Sequence, residues 1–227
     1  MLRALLSNSN ADPMNVIVSI LLQIPIIMLI LPFHEVAHGY VAYKLGDPTA
    51  RSMGRLTLNP LKHFDLIGFA MMLLVGFGWA KPVPINARYF KKPKRDMALT
   101  ALAGPLSNII LAVIFALLLR IMYAVLAAFP PTSDFTVNIY FWTQELLMSG
   151  VVLNVAFAVF NMIPVPPFDG SRILFSFLPS DLYFKIMRYE QYIYIAMLVL
   201  LVTGILNVPL RAATNFISEI ILRIVLF

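Results

Sequence analysis

The chain contains no cysteine, so no disulfide holds it together, although that absence does not fix its compartment. Charge is scarce too: 12% of the 227 residues are Asp, Glu, Lys or Arg, and an ordinary soluble domain carries about 25%. With 60% of its residues hydrophobic, the chain is expected to be an all-α polytopic membrane protein. There is no internal repeat, no low-complexity tract and no polar stretch long enough for a soluble appendage. One membrane domain over 1–227 is therefore expected, with its functional core at about 14–175. Histidine is rarer still, at three residues, and two of the three lie four positions apart. The net charge of +6 does not point to nucleic acid. Its distribution reads instead as a topology signal, with the lipid bilayer as partner.

Apolar runs cover 14–33, 66–80, 98–128, 143–163 and 190–208, with a shorter one at 212–227. About 20 apolar residues span a bilayer, which predicts about five to six transmembrane helices. The first run leads straight into His34 without a small-residue cleavage site, so it reads as a helix and not as a signal peptide. Ten of the 17 basic residues fall between Lys44 and Arg95, whereas 129–142 has none. The positive-inside rule puts both basic segments in the cytoplasm. The 15 residues between them then cannot cross once and stay consistent. A short membrane-embedded β or re-entrant segment near 51–88 is expected. Segments 55–59 and 81–86 alternate like extended chain, and Pro82 and Pro84 bar central-strand placement. On this topology 14–33 and 143–163 both run from outside to inside.

The chemistry-bearing motif is His34-Glu35-Val36-Ala37-His38. Histidines at i and i+4 lie one turn apart on one helical face, where both imidazoles reach one Zn²⁺. Glu35 flanks that face and is placed to act as general base on the attacking water. A chance match is disfavoured because polar groups at membrane depth are costly and serve function. A catalytic zinc takes three protein ligands. Asp169 follows the break Asn161-Met162-Ile163-Pro164-Val165-Pro166-Pro167-Phe168, in which the prolines end any helix. Irregular backbone at that depth lines protein or a wet cavity. Asp169 is thus either the third ligand or a cap for a helix beginning near Ser171.

The chain resembles the site-2 protease family of intramembrane zinc metalloproteases. The resemblance is carried by HEVAHGYVAYKLGDPTARSMGRLTLNPLKHFD, GWAKPVPIN, ALAGPLSN and FNMIPVPPFDGSRIL, in the family's order. It is closest to compact members without PDZ or CBS domains. Two positions depart from the family's pattern, Phe64-Asp65-Leu66 after the NPLKH stretch and Phe168 before the DG pair. The resemblance implies that His34, His38 and Asp169 hold zinc, one ion per chain, and that Glu35 is the base. It implies a transmembrane-protein or peptide substrate, cleaved within or near its membrane span after local unwinding. It places the protein in a prokaryotic cell membrane with the active site toward the cytoplasm. Asn161 is implied near the reacting centre, where an amide stabilises an oxyanion; an interhelical hydrogen bond is the alternative. It further implies that segments 51–88 pair with unwound substrate as added strand, or plug the site.

Three other residues are read by their surroundings. Asn108 lies in Ala103-Gly104-Pro105-Leu106-Ser107-Asn108, where small residues predict close helix packing. His63 lies in a basic loop and is expected to be solvated or interfacial. Lys91, Lys92, Lys94 and Arg95 are expected to anchor lipid headgroups. The rival to proteolysis is a non-catalytic membrane zinc-binding protein or transporter. A transporter would spread its intramembrane polar groups along a path, whereas these converge at one depth. A second rival, an HExxH protease whose third ligand is a later glutamate, would need Glu145, Glu190 or Glu219, and none lies in an E-x-x-x-D pattern.

Overall fold

The computed structural model describes residues 13–68, 70, 80–179, 182, 185–186 and 188–227. Six helices organise it: α1 (Pro13–Lys44), α2 (Pro93–Ala128), α3 (Asp134–Asn161), α4 (Asp169–Ser176), α5 (Glu190–Thr203) and α6 (Asn207–Leu226). Single helical turns at Thr49–Ser52 and Pro60–His63 and a 3₁₀ turn at Ala87–Tyr89 punctuate the α1–α2 connection.

The ends of the long helices follow local chemistry. Pro93 opens α2 at the first helical position, where its missing N–H costs nothing. The buried Asp96 carboxylate takes the free N–H of Lys92 at 2.9 Å. Ser133 and Thr136 form a reciprocal capping box at the start of α3. Gly204, at φ 77°, closes α5 in the left-handed region that favours glycine.

Among the described residues, three helices are long and apolar enough to cross a membrane: 21–44 of α1, α2 and α3. Their 24, 36 and 28 residues correspond to about 36, 54 and 42 Å, each above the roughly 30 Å hydrocarbon core. The described residues thus show three of the expected five to six spans. The run 190–208 is broken by Gly204, so α5 has 14 residues, about 21 Å. The 20-residue α6 is amphipathic, with Arg211, Asn215, Glu219 and Arg223 along it. Its inner face, Thr214, Ser218, Ile221 and Val225, is buried.

Two boundaries also move. The first helix carries the motif, as expected, and runs on past the apolar run to Lys44. Residues 134–142, expected in an outside loop, belong to α3, because the Ser133 cap starts the helix early. No strand occurs among the described residues of the 51–88 region. Among the described residues segments 55–59 and 81–86 are neither helical nor part of a ladder, and in the second Pro82 and Pro84 lack the amides that one requires. Most of the 66–80 stretch, and with it the re-entrant reading, lies outside the described residues.

The core sits where α2, α3 and α6 meet. Ala112, Ala116, Leu119, Val151 and Val155 are fully buried there, with Phe115, Met122, Leu147, Ile221 and Val225. Gly150 lets α2 approach α3: a Cβ there would stand 2.3 Å from the Phe115 ring. The outward faces are apolar instead of charged. Leu106, Ile110, Ile114, Leu117, Leu118 and Ile121 along α2 are all exposed. So large an apolar face belongs against lipid. The molecule is a membrane protein whose described residues form helices and no strand.

Candidate metal centre

Three helices deliver the site from one end of the bundle. α1 supplies His34, Glu35 and His38 near its C-terminal end. α2 runs back past them, bringing Thr100, Gly104 and Asn108 from its first half. After α3 ends at Asn161, the proline segment turns the chain and α4 begins at Asp169. The Pro166–Pro167 peptide there is cis. Gly170 sits so tightly against this turn that a Cβ would lie 2.2 Å from the Met162 carbonyl oxygen. That contact presses the start of α4 back onto the end of α3 and aims Asp169 inward.

The three donor atoms form a nearly equilateral triangle. Asp169 Oδ2 lies 3.2 Å from Nε2 of His34 and 3.2 Å from Nε2 of His38. The two Nε2 atoms are 3.0 Å apart. Both histidines are buried, and the Asp169 side chain is 16% exposed. An aspartate ligates as its carboxylate, the form it ordinarily takes at neutral pH.

The other ring nitrogens decide what the triangle is for. His38 Nδ1 lies 2.7 Å from the Thr100 carbonyl oxygen, which only accepts. Nδ1 of His38 therefore carries a proton, and the neutral form of the ring, the one that ligates a metal, presents its lone pair at Nε2. His34 Nδ1 lies 2.7 Å from Asn108 Oδ1 and presents its Nε2 in the same way. In that form the short Nε2–Nε2 separation is not a hydrogen bond but two lone pairs facing one point. Asp169 Oδ2, buried, has no hydrogen-bond partner. Two lone pairs and a carboxylate oxygen this close repel one another unless a cation lies between them. Tetrahedral zinc, with bonds of about 2.0–2.2 Å, sets ligand atoms about 3.3–3.6 Å apart, close to these separations. The donor set fits Zn²⁺.

The surroundings are built around the imidazoles. Gly104 forms the floor: a Cβ there would stand 2.4 Å from His38 Nε2 and 2.6 Å from His34 Cε1. The small-residue run in α2 thus allows the close approach that its composition predicts, and the groups it admits are the two rings. The Phe157 ring from α3 stands edge-on to His34, with centroids 5.0 Å apart. Glu35 is half-buried, and its Oε2 accepts the Val83 amide at 2.7 Å. The segment carrying Val83 is held along its length. Arg55 Nη2 donates to the carbonyls of Lys81 and Pro82 at 2.8 and 3.2 Å. Lys81 N–H donates to the His63 carbonyl at 2.9 Å, and Asn86 N–H to buried Asp47 at 2.6 Å.

Several expectations change here. Asp169 does not cap α4: it is the first helical residue, behind Phe168, and makes no capping bond. The Asn161 amide donates to the Phe157 carbonyl at 2.9 Å, one turn back on its own helix. That bond is intrahelical, and the structure does not bring Asn161 into the donor triangle. His63 is buried and not solvated: its Nε2–H donates to the Thr57 carbonyl at 2.8 Å and bolts the loop together. Among the described residues no second group of metal-ligating side chains forms around it. Asn108, expected as a packing residue, instead touches His34. Thr100, Val83, Arg55 and Asn154 were not singled out from sequence. Only Asn154, a polar residue within an apolar helix, left a signal there. Backbone groups such as the Thr100 carbonyl leave none.

Fold and site together define a zinc metalloprotease whose centre is carried by membrane-length helices. The chain belongs to Peptidase family M50, the site-2 protease family, whose sequence profile matches residues 22–204. It is 43% identical to the candidate zinc metalloprotease YwhC of Bacillus subtilis (strain 168) over 205 residues, 88% of this chain and 89% of YwhC. It is 28% identical over 188 residues to the candidate zinc metalloprotease Rip2 of Mycolicibacterium smegmatis, covering 79% of this chain and 66% of Rip2. A candidate zinc metalloprotease of Methanocaldococcus jannaschii, MJ0611, is 32% identical over 142 residues, 63% of each chain. No solved structure matches the chain.

Proposed function

We propose that this protein is an intramembrane protease, hydrolysing peptide bonds within or next to the transmembrane segments of other membrane proteins, with its site toward the cytoplasm. His34, His38 and Asp169 hold one zinc ion per chain, which when bound lowers the pKa of water to about 7 and polarises a carbonyl. Glu35 takes the proton of the attacking water and delivers it to the leaving amine. The Val83 amide on Glu35 Oε2 fixes the plane of that carboxylate, so Oε1 is the oxygen assigned to the proton. Asn161 is assigned to the developing oxyanion. Its amide faces the Phe157 carbonyl, so that role requires it to turn. The orientation rests on the basic residues between Lys44 and Arg95.

One observation carries the reading: HExxH on one membrane-length helix meets a carboxylate from the proline-broken end of another. A binding-only protein needs the triangle but has no use for a held carboxylate at Glu35. A helical substrate carbonyl is already hydrogen-bonded, so the substrate must unwind before attack. Co-expression with tagged candidate membrane substrates tests this. The native chain is expected to cleave, and Glu35→Gln to keep its zinc and lose activity. Residual cleavage by Glu35→Gln would remove Glu35 as the base. Replacing Gly, Asn or Pro near the cut by Leu should slow cleavage, and equal rates would refute unwinding.

A further inference from the structure

A chain of buried amides runs from α3 through α2 to His34. Asn154 Nδ2 donates to the Gly150 carbonyl at 2.7 Å. Asn108 Nδ2 donates to Asn154 Oδ1 at 3.4 Å. Asn108 Oδ1 meets His34 Nδ1 at 2.7 Å. Asn108 and Asn154 have no exposed surface at all. Two asparagines at this depth are costly unless each polar atom has a task.

The direction of every bond follows from one unambiguous end. The Gly150 carbonyl accepts and cannot donate, so Asn154 must face it with its NH₂. Asn154 then faces Asn108 with its oxygen. Asn108 must answer with its NH₂, which leaves its oxygen for His34. His34 Nδ1 is thereby compelled to carry the proton, and its Nε2 lone pair points at Asp169 and His38. His38 is set separately, by the Thr100 carbonyl on α2. Each imidazole thus has its own fixing acceptor, but only that of His34 reaches a third helix. A reversed Asn108 amide would face His34 with an NH₂, and the ring would have to move its proton to the ligating nitrogen.

We propose that Asn108 and Asn154 are positioning residues for the metal centre: together they set the tautomer and the ring orientation of His34, with Asn154 acting through Asn108. The proposal rests on the assignment of His34 as a zinc ligand. Partners of this kind on a ligating histidine typically change metal affinity by 10–100-fold.

The test is the zinc affinity of the purified full-length protein in detergent, read by competition with a chelator, beside the melting temperature of the zinc-free protein. Asn108→Leu, similar in shape but without an acceptor, should weaken zinc by 10–100-fold. Asn154→Leu should weaken it less, because Asn108 keeps its oxygen but loses the group that orients it. The double variant should be no weaker than Asn108→Leu alone, since Asn154 then has nothing to act through. Asn108→Asp, which still accepts from Nδ1–H, should bind more tightly than Asn108→Leu. Native affinity in Asn108→Leu would overturn the proposal, and so would losses that multiply in the double variant. If Asn108→Leu does not fold, Asn154→Leu decides alone: native zinc affinity in it overturns the relay. A native chain holding no zinc would bring down the site assignment and the relay together, whereas a zinc-loaded native chain with indifferent variants would bring down the relay only.

Discussion

At the scale of single residues, the site is governed by what is missing as much as by what is present. Gly104 has no side chain, and both imidazoles occupy the space a methyl group would fill. Alanine is worth about 1 kcal/mol more than glycine inside a helix, so Gly104→Ala should not cost α2 its stability. It should nevertheless displace both rings and weaken zinc by more than tenfold. Metal content and the melting temperature of the zinc-free protein should therefore part company in this variant. Native zinc content would show that the rings do not depend on that floor. The histidines and Asp169 are legible in the sequence because no other residue types carry that chemistry. Asn108 is less so, since an amide packs, caps or positions depending on what the fold sets against it.

At the scale of elements, segment 81–86 stands out, because among the described residues it pairs with no strand and is fastened by side chains. Arg55 is 9% exposed and spends its guanidinium on the carbonyls of Lys81 and Pro82. The next residue, Val83, reaches Glu35. Arg55→Met keeps the apolar stem but removes both bonds. It should leave zinc bound, lower proteolytic activity by at least tenfold and expose the Lys81 peptide to trypsin. Unchanged activity together with new cleavage at Lys81 would mean that the Val83–Glu35 contact does not serve the reaction. The non-helical character of this segment is written in its prolines; its anchors are not, because Arg55 lies 26 residues away along the chain. The lengths of α1 and α3 are similarly underestimated by apolar runs alone. Backbone hydrogen bonding carries a helix into polar sequence until a cap or a break stops it.

At the scale of the whole molecule, the donor triangle draws its members from two helix systems, with α2 lying across both. Zinc binding should therefore bind the bundle together. A ligand at a thousand times its dissociation constant adds about 4 kcal/mol to the folded state. Zinc is expected to raise the melting temperature of the detergent-solubilised protein, and a chelator to reverse the rise. Asp169→Ala should abolish the zinc-dependent increment and proteolysis alike. A zinc response of native size in Asp169→Ala would place the third ligand elsewhere. The apolar outer face of α2 makes the same point about solvent: this interior is small, and lipid completes the packing that protein does not provide.

By itself the sequence determined the class of chemistry, because HExxH, a proline break and an Asp-Gly pair state their ligand types and helical spacing without reference to the rest of the fold. It also determined the solvent, because so little charge cannot cover a surface in water. The tertiary structure alone decided which way each imidazole faces, what Glu35 is held by and where the spans end. Those outcomes depend on carbonyls, amides and a missing Cβ brought together from distant positions, and contacts of that kind have no local signature for composition or periodicity to reveal.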